Sequence, residues 1–574
     1  MFYPGWVTDE VYDVVVVGSG AAGMSAALAA NHAGLRTVIV EKAAQYGGST
    51  ARSGGGVWTP NNDVLRRAGV DDTTDAARAY LHHIVGEAVP AQRIDTYLDR
   101  GPEALAFLLA NSPLRMQWVP DYSDYYPEAP GGRLGGRSVE PKPFDLKRLG
   151  AERARLEPEY GRSPLNVAVT QADFRWATLM MRTPRGVLRV LRIGLRWTWA
   201  MLTRKDLVVR GQAFSGALRR GLLDAGVPLL LDTALEELYV ADDTVAGVVV
   251  SAAGQQRLLR ARHGVVLACG GFEHNAGLRE QYQRAPIGSD WTVGAKANTG
   301  DGILAGERVG AALELMADAW WGPSIPLTGG PWFCLAERTL PGGIMVNARG
   351  ERYLNEALPY VEAVHKMYGG RYGQGDGPGE NIPSWMIIDQ RYRNRYVFAG
   401  VAPRRPFPGR WYQSGVVVRA TTLGELADKI GVPAVALTAT VERFNGFARS
   451  GTDADFGRGE SGYDRYYGDP TVKPNPCLSP IDHPPYYAVT MVPGDLGTKG
   501  GLRTDVHGRV LRPDGSVIDG LYAAGNVSSP VMGHTYAGPG ATIGPAITFG
   551  YLAALHIAER AAARPTEEEL HGAH

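Results

Sequence analysis

One segment near the N-terminus constrains the fold more than any other. An apolar, β-branched run over residues 11–17 leads into the sequence GSGAAG at residues 18–23. An alanine-rich stretch over residues 21–33 and a second strand pattern over residues 37–40 follow. Glycines at this spacing, between a strand and a helix, are typical of a βαβ unit that binds a dinucleotide. We therefore predict an α/β chain, α+β overall, that opens with a Rossmann-like unit.

Further polar and glycine-rich segments indicate which dinucleotide is bound. Glu41 ends the second predicted strand, where a carboxylate accepts hydrogen bonds from ribose hydroxyls and disfavours a 2'-phosphate. Residues 47–56 and 528–544 are rich in glycine, and such N–H-rich backbone can wrap a long cofactor and approach a flat ring. Three separated segments predict one extended cofactor, FAD. Residues 47–56 contain no histidine, so we expect the flavin to be bound non-covalently.

The length of the chain favours two lobes. At 574 residues it exceeds the size at which a single core usually stops growing. Strand-like runs over residues 229–267 should return the chain to the nucleotide-binding lobe, and a final helix is predicted over residues 545–562. Residues 318–496 are rich in Trp, Tyr, Pro and Gly, with one helical stretch near 422–450. We predict a discontinuous FAD-binding domain over residues 1–317 and 497–574, with a catalytic domain inserted at 318–496.

Charge and cysteine content exclude several classes of protein. The 59 basic residues balance the 59 acidic ones, so nothing points to nucleic acid. The three cysteines form no C-x-x-C pair, and no His, Cys, Asp and Glu cluster has metal-ligand spacing, so neither a disulfide framework nor a metal site is expected. The first ten residues lack a basic signal region, and no run approaches the ~18 apolar residues of a membrane span. We expect a cytoplasmic protein.

A basic amphipathic stretch at residues 182–205 has two interpretations. Basic residues, among them Arg185, Arg189, Arg192, Arg196, Arg204 and Lys205, alternate there with Leu188, Leu191, Leu195, Trp197 and Trp199. The stretch could lie on a membrane surface and admit a lipophilic substrate, which would make the protein membrane-associated through a peripheral contact. Alternatively, it is a surface helix that packs its apolar stripe on the same protein. We favour the second interpretation, and the first stays open.

Long ordered blocks resemble the 3-ketosteroid Δ1-dehydrogenases, flavoproteins of the group that includes fumarate reductase flavoprotein subunits. The blocks span essentially the full length and include EKAAQYGGSTARSGGGVW, YSDYYPEAPGGRLGGRS, ACGGFEHN with ANTGDG, GERYLNEALPY and HTYAGPGATIGPA. The resemblance implies an FAD-binding domain made from both chain ends, with a catalytic domain between them. It also implies removal of two hydrogens across C1–C2 of a 3-ketosteroid such as 4-androstene-3,17-dione. The electrons would pass to FAD and then to an acceptor, a quinone or an artificial dye.

The resemblance also assigns catalytic roles. Tyr536 and the backbone N–H of Gly540 match the pair that holds the C3 carbonyl, and Tyr360 matches the residue that takes the C2 proton. Tyr125 matches its hydrogen-bonding helper, although Tyr126 is the alternative by register. Hydrogen bonds to the C3 oxygen stabilise a developing enolate and so acidify C2–H. A tyrosine base titrates near ~10, so Tyr360 needs a hydrogen bond or a positive field that favours the phenolate.

The remaining expected site residues contact the cofactor or the substrate. The expected cofactor-binding residues are Gly18, Ser19, Gly20, Ala21, Ala22, Gly23, Glu41, Lys42, Gly48, Ser49, Thr50, Ser53, Gly54, Gly55, Ala268, Gly270, Asp301, Gly525, Asn526, Ala541 and Ile543. Phe333 and Tyr122 are expected to line the substrate pocket. Trp320, Trp321 and Trp332 are expected to belong to the core.

Three other functions were weighed against this one. A fumarate reductase-like enzyme would need cationic side chains that clamp a dicarboxylate, whereas the matched positions carry tyrosines. Desaturation at C4–C5 of 5α-steroids belongs to a related family with different motifs. A flavin-binding electron-transfer module would leave Tyr360, Tyr536 and Gly540 unexplained. We expect His534 to hydrogen bond backbone groups of its glycine-rich loop rather than to act as an acid or base.

Overall fold

The computed structural model describes residues 10–161, 167–179 and 182–563. The strands of this part are β1 (Glu10–Val17), β2 (Thr37–Val40), β3 (Val57–Trp58), β4 (Met116–Trp118), β5 (Ser138–Pro141), β6 (Phe144–Asp145), β7 (Leu207–Val208), β8 (Leu229–Leu230), β9 (Thr233–Ala241), β10 (Thr244–Ala252), β11 (Gln255–Leu267), β12 (Leu313–Glu314), β13 (Ala319–Ile325), β14 (Trp332–Phe333), β15 (Gly343–Asn347), β16 (Ser384–Asp389), β17 (Val417–Ala420), β18 (Tyr486–Thr498), β19 (Gly501–Leu502), β20 (Arg509–Leu511) and β21 (Val517–Ala523).

The helices of the same part vary from short turns to rods of five or more turns. They are α1 (Ala21–His32), α2 (Gly48–Arg52), α3 (Asp63–Arg67), α4 (Thr74–Val85), α5 (Ala91–Ala110), α6 (Gln171–Thr178), α7 (Pro184–Leu202), α8 (Arg210–Asp224), α9 (Ala276–Tyr282), α10 (Asp301–Arg308), α11 (Tyr360–Tyr368), α12 (Gln390–Arg395), α13 (Gly409–Gln413), α14 (Leu423–Ile430), α15 (Ala434–Ser450), α16 (Gly462–Tyr466) and α17 (Ile543–Ala562).

The larger sheet carries the N-terminal glycine turn. Within the described residues it has eight strands, with β20-β21-β11-β1-β2-β8 as its main order and β10 and β9 added beyond β11. The strands β8, β2, β1, β11 and β21 run parallel. Side chains of β1 are buried on both faces, which is why its sequence is a continuous apolar run. The predicted βαβ opening is confirmed, and residues 229–267 do return to the same sheet.

In the sequence, the strands of the second sheet come after β11 and before β20, which both belong to the first sheet. Its order is β14-β13-β18-β16-β15, with β17 also pairing with β18, and all of its pairings are antiparallel. Helices α14 and α15 pack apolar side chains against one face of it. Strand β18 extends past residue 496, the predicted domain boundary. The division into two domains stays a prediction.

One local prediction was wrong in this region. The single helix expected near residues 422–450 is broken into α14 and α15, because Gly431 takes a left-handed conformation and Pro433 follows it. The second glycine run, residues 47–56, contains helix α2, whose N-cap is Gly47 at φ +105°. A short helix presents several backbone N–H groups in one direction.

Helix α7 confirms the helical prediction for the basic stretch but not the packing that we favoured. Its apolar stripe faces solvent, with exposed fractions of 68% for Leu188, 59% for Leu191, 72% for Leu195 and 80% for Leu202. The residues of α7 that are buried are Gly186, Ile193 and Ala200, and Arg189 and Arg196 pair with Asp173. The helix therefore contacts the protein through these side chains and leaves its leucines exposed.

No helix among the described residues has the length and apolarity to cross a bilayer. The expectation about a signal region concerns residues 1–10, and residues 1–9 lie outside the described part of the chain.

Candidate active site

A single long cavity joins the glycine turn of the first sheet to a group of tyrosines beside the second. Its volume is about 1210 Å³, above the ~300–1,000 Å³ that is usual for ligand pockets. Of the expected cofactor residues, those that line it are Gly18, Ser19, Gly20, Ala21, Ala22, Glu41, Lys42, Gly48, Ser49, Thr50, Ser53, Gly54, Gly55, Ala268, Gly270, Asp301, Gly525, Asn526 and Ile543. This space can hold a dinucleotide and a further ligand together.

The glycine turn is fixed by close backbone packing. A Cβ atom on Gly18, at φ +106°, would lie 2.4 Å from the carbonyl oxygen of Ala268. One on Gly23 would lie 1.9 Å from the carbonyl oxygen of Gly18. Gly23 therefore packs helix against strand, as its place in the motif predicts, and does not line the cavity. Ala541 is likewise buried without lining the cavity.

Glu41 is held in place at the end of β2. Its Oε2 accepts hydrogen bonds from the backbone N–H of Ser19 at 3.0 Å and from the Ser19 hydroxyl at 2.6 Å. Its Oε1 accepts a further bond from the N–H of Ala43 at 3.0 Å. Nearby, Lys42 Nζ forms an ion pair with Asp301 at 2.5 Å. The carboxylate lies in the cavity wall where the sequence predicts a ribose contact.

The shape and donors of the cavity fit FAD. Cβ atoms on Gly48 and Gly54 would meet no other atom within 4 Å, so the backbone at both positions is open to the cavity. A flat ring can approach such backbone closely. Helix α17 begins at Ile543 in the cavity wall, and its positive end favours electron density on a ligand there.

Sequence reasoning missed several polar residues of this wall, of which Asn298 has the best-defined contacts. Asn298 donates from Nδ2 to the Ser49 hydroxyl at 3.0 Å and to Glu273 Oε1 at 2.7 Å, and it lines the cavity. It lies inside the block ANTGDG, which was noted only for its resemblance. The family resemblance of this block was therefore the signal in the sequence that could have identified Asn298.

At the other end of the cavity the structure brings the expected catalytic tyrosines together. The hydroxyl of Tyr125 donates to the hydroxyl of Tyr360 at 3.1 Å. The ring of Tyr536 lies 5.3 Å from that of Tyr360 and 5.2 Å from that of Tyr125, between ring centres. Tyr126 points elsewhere and donates to Glu362 at 2.7 Å. The contact with Tyr360 is thus made by Tyr125 rather than by its neighbour.

Local structure explains how each tyrosine is placed. Tyr360 is the first residue of α11, after Pro359, whose fixed φ suits a helix start. The backbone N–H of Tyr125 donates to the carbonyl of Ala537 at 3.0 Å, and the hydroxyl of Tyr80 donates to the same carbonyl at 2.6 Å. The loop that carries Tyr125 is therefore tied to the loop that carries Tyr536.

Gly540 is a position that only glycine can fill. Its φ is +96°, and a Cβ atom there would lie 2.3 Å from the backbone carbon of Gly56. Burial raises the pKa of Tyr536, whereas hydrogen bonding with Tyr360, Thr542 and the backbone of Gly540 lowers it. Gly540 and Tyr536 both line the cavity at this end.

The pKa of Tyr360 determines whether its hydroxyl is protonated or ionised in the resting enzyme. Burial raises this pKa well above its ordinary value, and the nearby Tyr536 raises it further. The hydrogen bond from Tyr125 acts in the opposite direction. Tyr360 is therefore protonated in the resting protein at neutral pH, and any group that stabilises its phenolate makes it a better base.

Aromatic side chains enclose this end of the cavity. The ring of Phe333 lies 5.2 Å from that of Tyr360, and the ring of Trp320 lies 5.1 Å from that of Tyr536. Trp320 is buried in the core as expected and also lines the cavity, whereas Trp332 is only half-buried and lines the cavity, so the expectation for Trp332 was wrong. Because they lie on strands β13 and β14, only the pairing of the second sheet decided which way they face.

Trp321 and Tyr122 lie where they were expected, in the core and in the cavity wall. Trp321 is buried and packs edge-on against Tyr368 at 5.5 Å, in the core. Tyr122 lines the cavity, and its ring stacks on Tyr466 at 4.3 Å.

His534 has a different partner from the one expected. Its Nδ1 lies 3.0 Å from Asp318 Oδ2, and its ring stacks on Tyr372 at 4.3 Å. The loop brings the imidazole to a buried carboxylate rather than to backbone groups. Cys269 lines the cavity, and burial raises the pKa of its thiol to about 12, so the thiol is protonated at neutral pH.

Comparison with known proteins agrees with this geometry. Residues 13–543 match the FAD binding domain family. The chain is 65% identical over 569 residues to a 3-oxosteroid 1-dehydrogenase of Mycobacterium tuberculosis (strain CDC 1551 / Oshkosh), covering 98% of this chain and 100% of that protein. It is also 65% identical over 568 residues to a 3-oxosteroid 1-dehydrogenase of Mycolicibacterium smegmatis, covering 98% and 99% of the two chains.

A solved structure shares the whole architecture. The 3-ketosteroid Δ1-dehydrogenase of Sterolibacterium denitrificans, solved in complex with 1,4-androstadiene-3,17-dione, superposes with a TM-score of 0.89 at 42% identity. The match covers 96% of this chain and 100% of that one. With the glycine turn, the FAD-shaped cavity and the tyrosine group in place, the chain belongs to the FAD-dependent 3-ketosteroid Δ1-dehydrogenases, also called 3-oxosteroid 1-dehydrogenases.

Proposed function

We propose that this protein catalyses the 1,2-desaturation of the A ring of 3-ketosteroids such as 4-androstene-3,17-dione, in steroid degradation. The observation that supports it most is the hydrogen bond between Tyr125 and Tyr360, beside Tyr536 and Gly540, in a cavity that also fits FAD. The two relatives at 65% identity are 3-oxosteroid 1-dehydrogenases, which supports this activity.

The first task of the site is to bind the C3 carbonyl. The hydroxyl of Tyr536 and the N–H of Gly540 donate to the carbonyl oxygen of the substrate. As the C2 proton leaves, negative charge develops on that oxygen, and two fixed donors in a water-poor site stabilise it. The aromatic wall of Phe333, Trp320 and Tyr122 excludes water and packs against a flat apolar ligand.

The second task is to take the C2 proton. Tyr360 takes this proton after its own phenolic proton has been released to solvent, and the hydrogen bond from Tyr125 stabilises the phenolate that this release leaves. A flavin held by the glycine-rich segments would supply the hydride acceptor for C1, and we propose that a quinone in the cell, or an artificial dye in assays, would then take up the electrons.

Charged groups of the cavity argue against a fumarate reductase-like activity. A dicarboxylate needs free cationic side chains as a clamp. Four cations line the cavity: Lys42, Arg52 and Arg210 are paired with the carboxylates of Asp301, Glu157 and Glu159, and Lys296 is exposed. The tyrosine end carries phenols and apolar rings instead.

Anaerobic mixing of the purified protein with substrate tests the proposed activity. The holoenzyme is expected to be yellow and to lose its oxidised-flavin absorbance when 4-androstene-3,17-dione is added, because the substrate is the reductant. A 1,4-diene product should form in equal amount. Retention of the absorbance with every 3-ketosteroid tried, together with reoxidation of the reduced protein by fumarate, would contradict the proposal.

We also propose that α7 rests on an anionic lipid surface. Its exposed apolar stripe runs through Leu188, Leu191 and Leu195, and basic side chains at Arg192 and Lys205 flank it in the exposed part of the same segment. This is the pattern of an interfacial helix, whose leucines enter the acyl boundary and whose cations meet lipid phosphates. Such a contact suits an enzyme with a lipophilic substrate.

Vesicle co-sedimentation tests this contact. The wild-type protein is expected to pellet with phosphatidylglycerol-containing vesicles and much less with phosphatidylcholine vesicles. The double variant Leu191→Glu, Leu195→Glu should lose at least about tenfold in vesicle affinity, since two charges replace apolar anchors. Val435→Glu, at another exposed apolar position, is the matched control. Failure of the wild type to bind anionic vesicles would rule the contact out.

A further inference from the structure

Asp318 is a buried carboxylate that lies just before strand β13. Three basic groups surround it: Lys499 Nζ at 3.2 Å, His534 Nδ1 at 3.0 Å and His365 Nε2 at 3.4 Å. Burial would raise the pKa of Asp318, but the lysine and the two histidines lower it well below its usual range. The carboxylate is therefore ionised, and it joins segments that are distant in the sequence.

One oxygen of this carboxylate binds the loop that carries Tyr536. Oδ2 faces both Lys499 and His534, and His534 lies two residues before Tyr536. Lys499 Nζ also donates to the backbone carbonyl of Thr535 at 3.4 Å, one residue before Tyr536. The loop is thus held through a side chain and through its backbone by the same buried ion pair.

Trp320 adds a contact on the ring of Tyr536. Lys499 Nζ lies 4.8 Å from the centre of the Trp320 ring, and the centres of the Trp320 and Tyr536 rings are 5.1 Å apart. Trp320 Nε1 donates to Asn526 Oδ1 at 3.1 Å, which fixes the orientation of the indole. The phenol of Tyr536 therefore packs against an indole that is itself held by Lys499 and Asn526.

The other oxygen binds the helix that carries Tyr360. Asp318 Oδ1 faces His365 Nε2, and His365 lies on α11, whose first residue is Tyr360. The other ring nitrogen of His365, Nδ1, lies 3.4 Å from Glu362 Oε2 on the same helix. Asp318 Oδ1 also accepts a hydrogen bond from the N–H of Ala319 at 2.8 Å. One carboxylate thus contacts both the helix of the base and the loop of the carbonyl donor.

We propose that Asp318 is a positioning residue that sets the distance between Tyr360 and Tyr536 through these contacts. The inference rests on the proposed function, in which Tyr360 takes the C2 proton while Tyr536 binds the C3 oxygen. C2 and C3 are neighbouring atoms of one rigid ring, so both phenols must be correctly placed at the same time. A buried ion pair is often no more stabilising than apolar side chains of similar size, so we assign its presence here to the geometry that it fixes.

Turnover of 4-androstene-3,17-dione by FAD-loaded Asp318→Asn is the first test. We expect kcat to fall about 10–10²-fold, the cost of misplacing a reacting group by roughly 1 Å. KM should change much less, because misplaced donors matter more in the transition state than in the ground state.

The double variant Asp318→Asn, Lys499→Met separates lost position from an unpaired charge. It should unfold at a higher temperature than the single variant, because no buried lysine is left without a counter-ion. It should keep the loss of kcat, because the contacts with His534 and Thr535 are still missing. Recovery of kcat would show that the unpaired lysine caused the defect and would overturn the inference.

Isotope-edited infrared spectroscopy reports the placement of Tyr536 without turnover. The ligand is 1,4-androstadiene-3,17-dione labelled with ¹³C at C3, which is already desaturated at C1–C2. A carbonyl that accepts strong hydrogen bonds absorbs at lower frequency, so its band should lie at higher frequency on Asp318→Asn than on the wild type. A role limited to stability would leave the band where it is, which would contradict the inference.

Asp469→Asn is the matched control for both measurements. Asp469 is also fully buried, pairs with Arg182 and Arg395, and accepts a hydrogen bond from Tyr396 at 2.7 Å. Its removal should leave kcat and the carbonyl band near their wild-type values.

His534→Phe tests the same inference if Asp318→Asn does not fold. A phenyl ring can still stack on Tyr372, while the bond to Asp318 is lost. A smaller shift of the band in the same direction is expected, and an unshifted band with unchanged kcat overturns the inference. An inactive wild type would contradict the proposed function instead. A crystal structure of the substrate-free variant then decides, since a Tyr536 loop that has not moved relative to α11 overturns the role of Asp318.

Discussion

Tyr360→Phe is expected to lower kcat for 3-ketosteroid desaturation by about 10²–10⁴-fold, the contribution of a positioned general base. The substitution removes one oxygen from a residue that is buried at the start of α11 and accepts a hydrogen bond from Tyr125. The fold should persist, because the ring still packs against Phe333 and Tyr536. The measurement is steady-state turnover of 4-androstene-3,17-dione with an artificial acceptor, alongside FAD content.

Two variants control for loss of a buried hydroxyl. Tyr368→Phe lies on the same helix and removes a hydroxyl that donates to the carbonyl of Pro286 at 2.9 Å. Tyr126→Phe removes the hydroxyl that donates to Glu362. Both should retain turnover within about tenfold, since neither touches the reacting atoms. If Tyr360→Phe kept a near-normal rate, or if Tyr126→Phe matched its loss, the base would have been misassigned.

Tyr536→Phe is expected to lower kcat by about 10²–10³-fold, the cost of losing one oxyanion-hole donor. The hydroxyl should matter more as charge develops on the C3 oxygen than in the ground state, so kcat should fall more than KM rises. FAD content should be unchanged, since the ring remains packed between Tyr125 and Trp320. Pre-steady-state reduction of the flavin by substrate measures this step directly.

Tyr551→Phe is the control for Tyr536→Phe. Tyr551 lies further along α17 and donates to Glu103 at 2.8 Å. Tyr551→Phe should reduce the flavin at the wild-type rate. A Tyr536→Phe enzyme that does the same would leave Gly540 as the carbonyl donor and remove the role assigned to Tyr536.

The sequence was most informative where function depends on local backbone geometry. Glycines at positions 18, 20 and 23 after an apolar run already predict the turn, and the structure shows why Gly18 and Gly23 accept no side chain. Nearly all of the expected cofactor residues line the cavity. Spacing along the chain is enough in these segments, because the ligand is met by consecutive residues of one turn or loop.

Side chains brought together from distant segments were harder to predict. Tyr125 and Tyr360 are 235 positions apart, and sequence register alone left Tyr125 and Tyr126 as alternatives. Family resemblance supplied these positions, whereas spacing in the chain could not. The tie between Tyr125 and the carbonyl of Ala537 has no sequence pattern, because it depends on how two loops pack.

The sequence by itself determined the dinucleotide fold, the cofactor turn and the amphipathic character of residues 184–202. Each of these follows from the conformations and periodicity of neighbouring residues. Only the tertiary structure decided that Tyr125 meets Tyr360 and that the leucines of α7 face outward. Those facts depend on which surfaces pack together, since burial and charge pairing are properties of the assembled core rather than of any one segment.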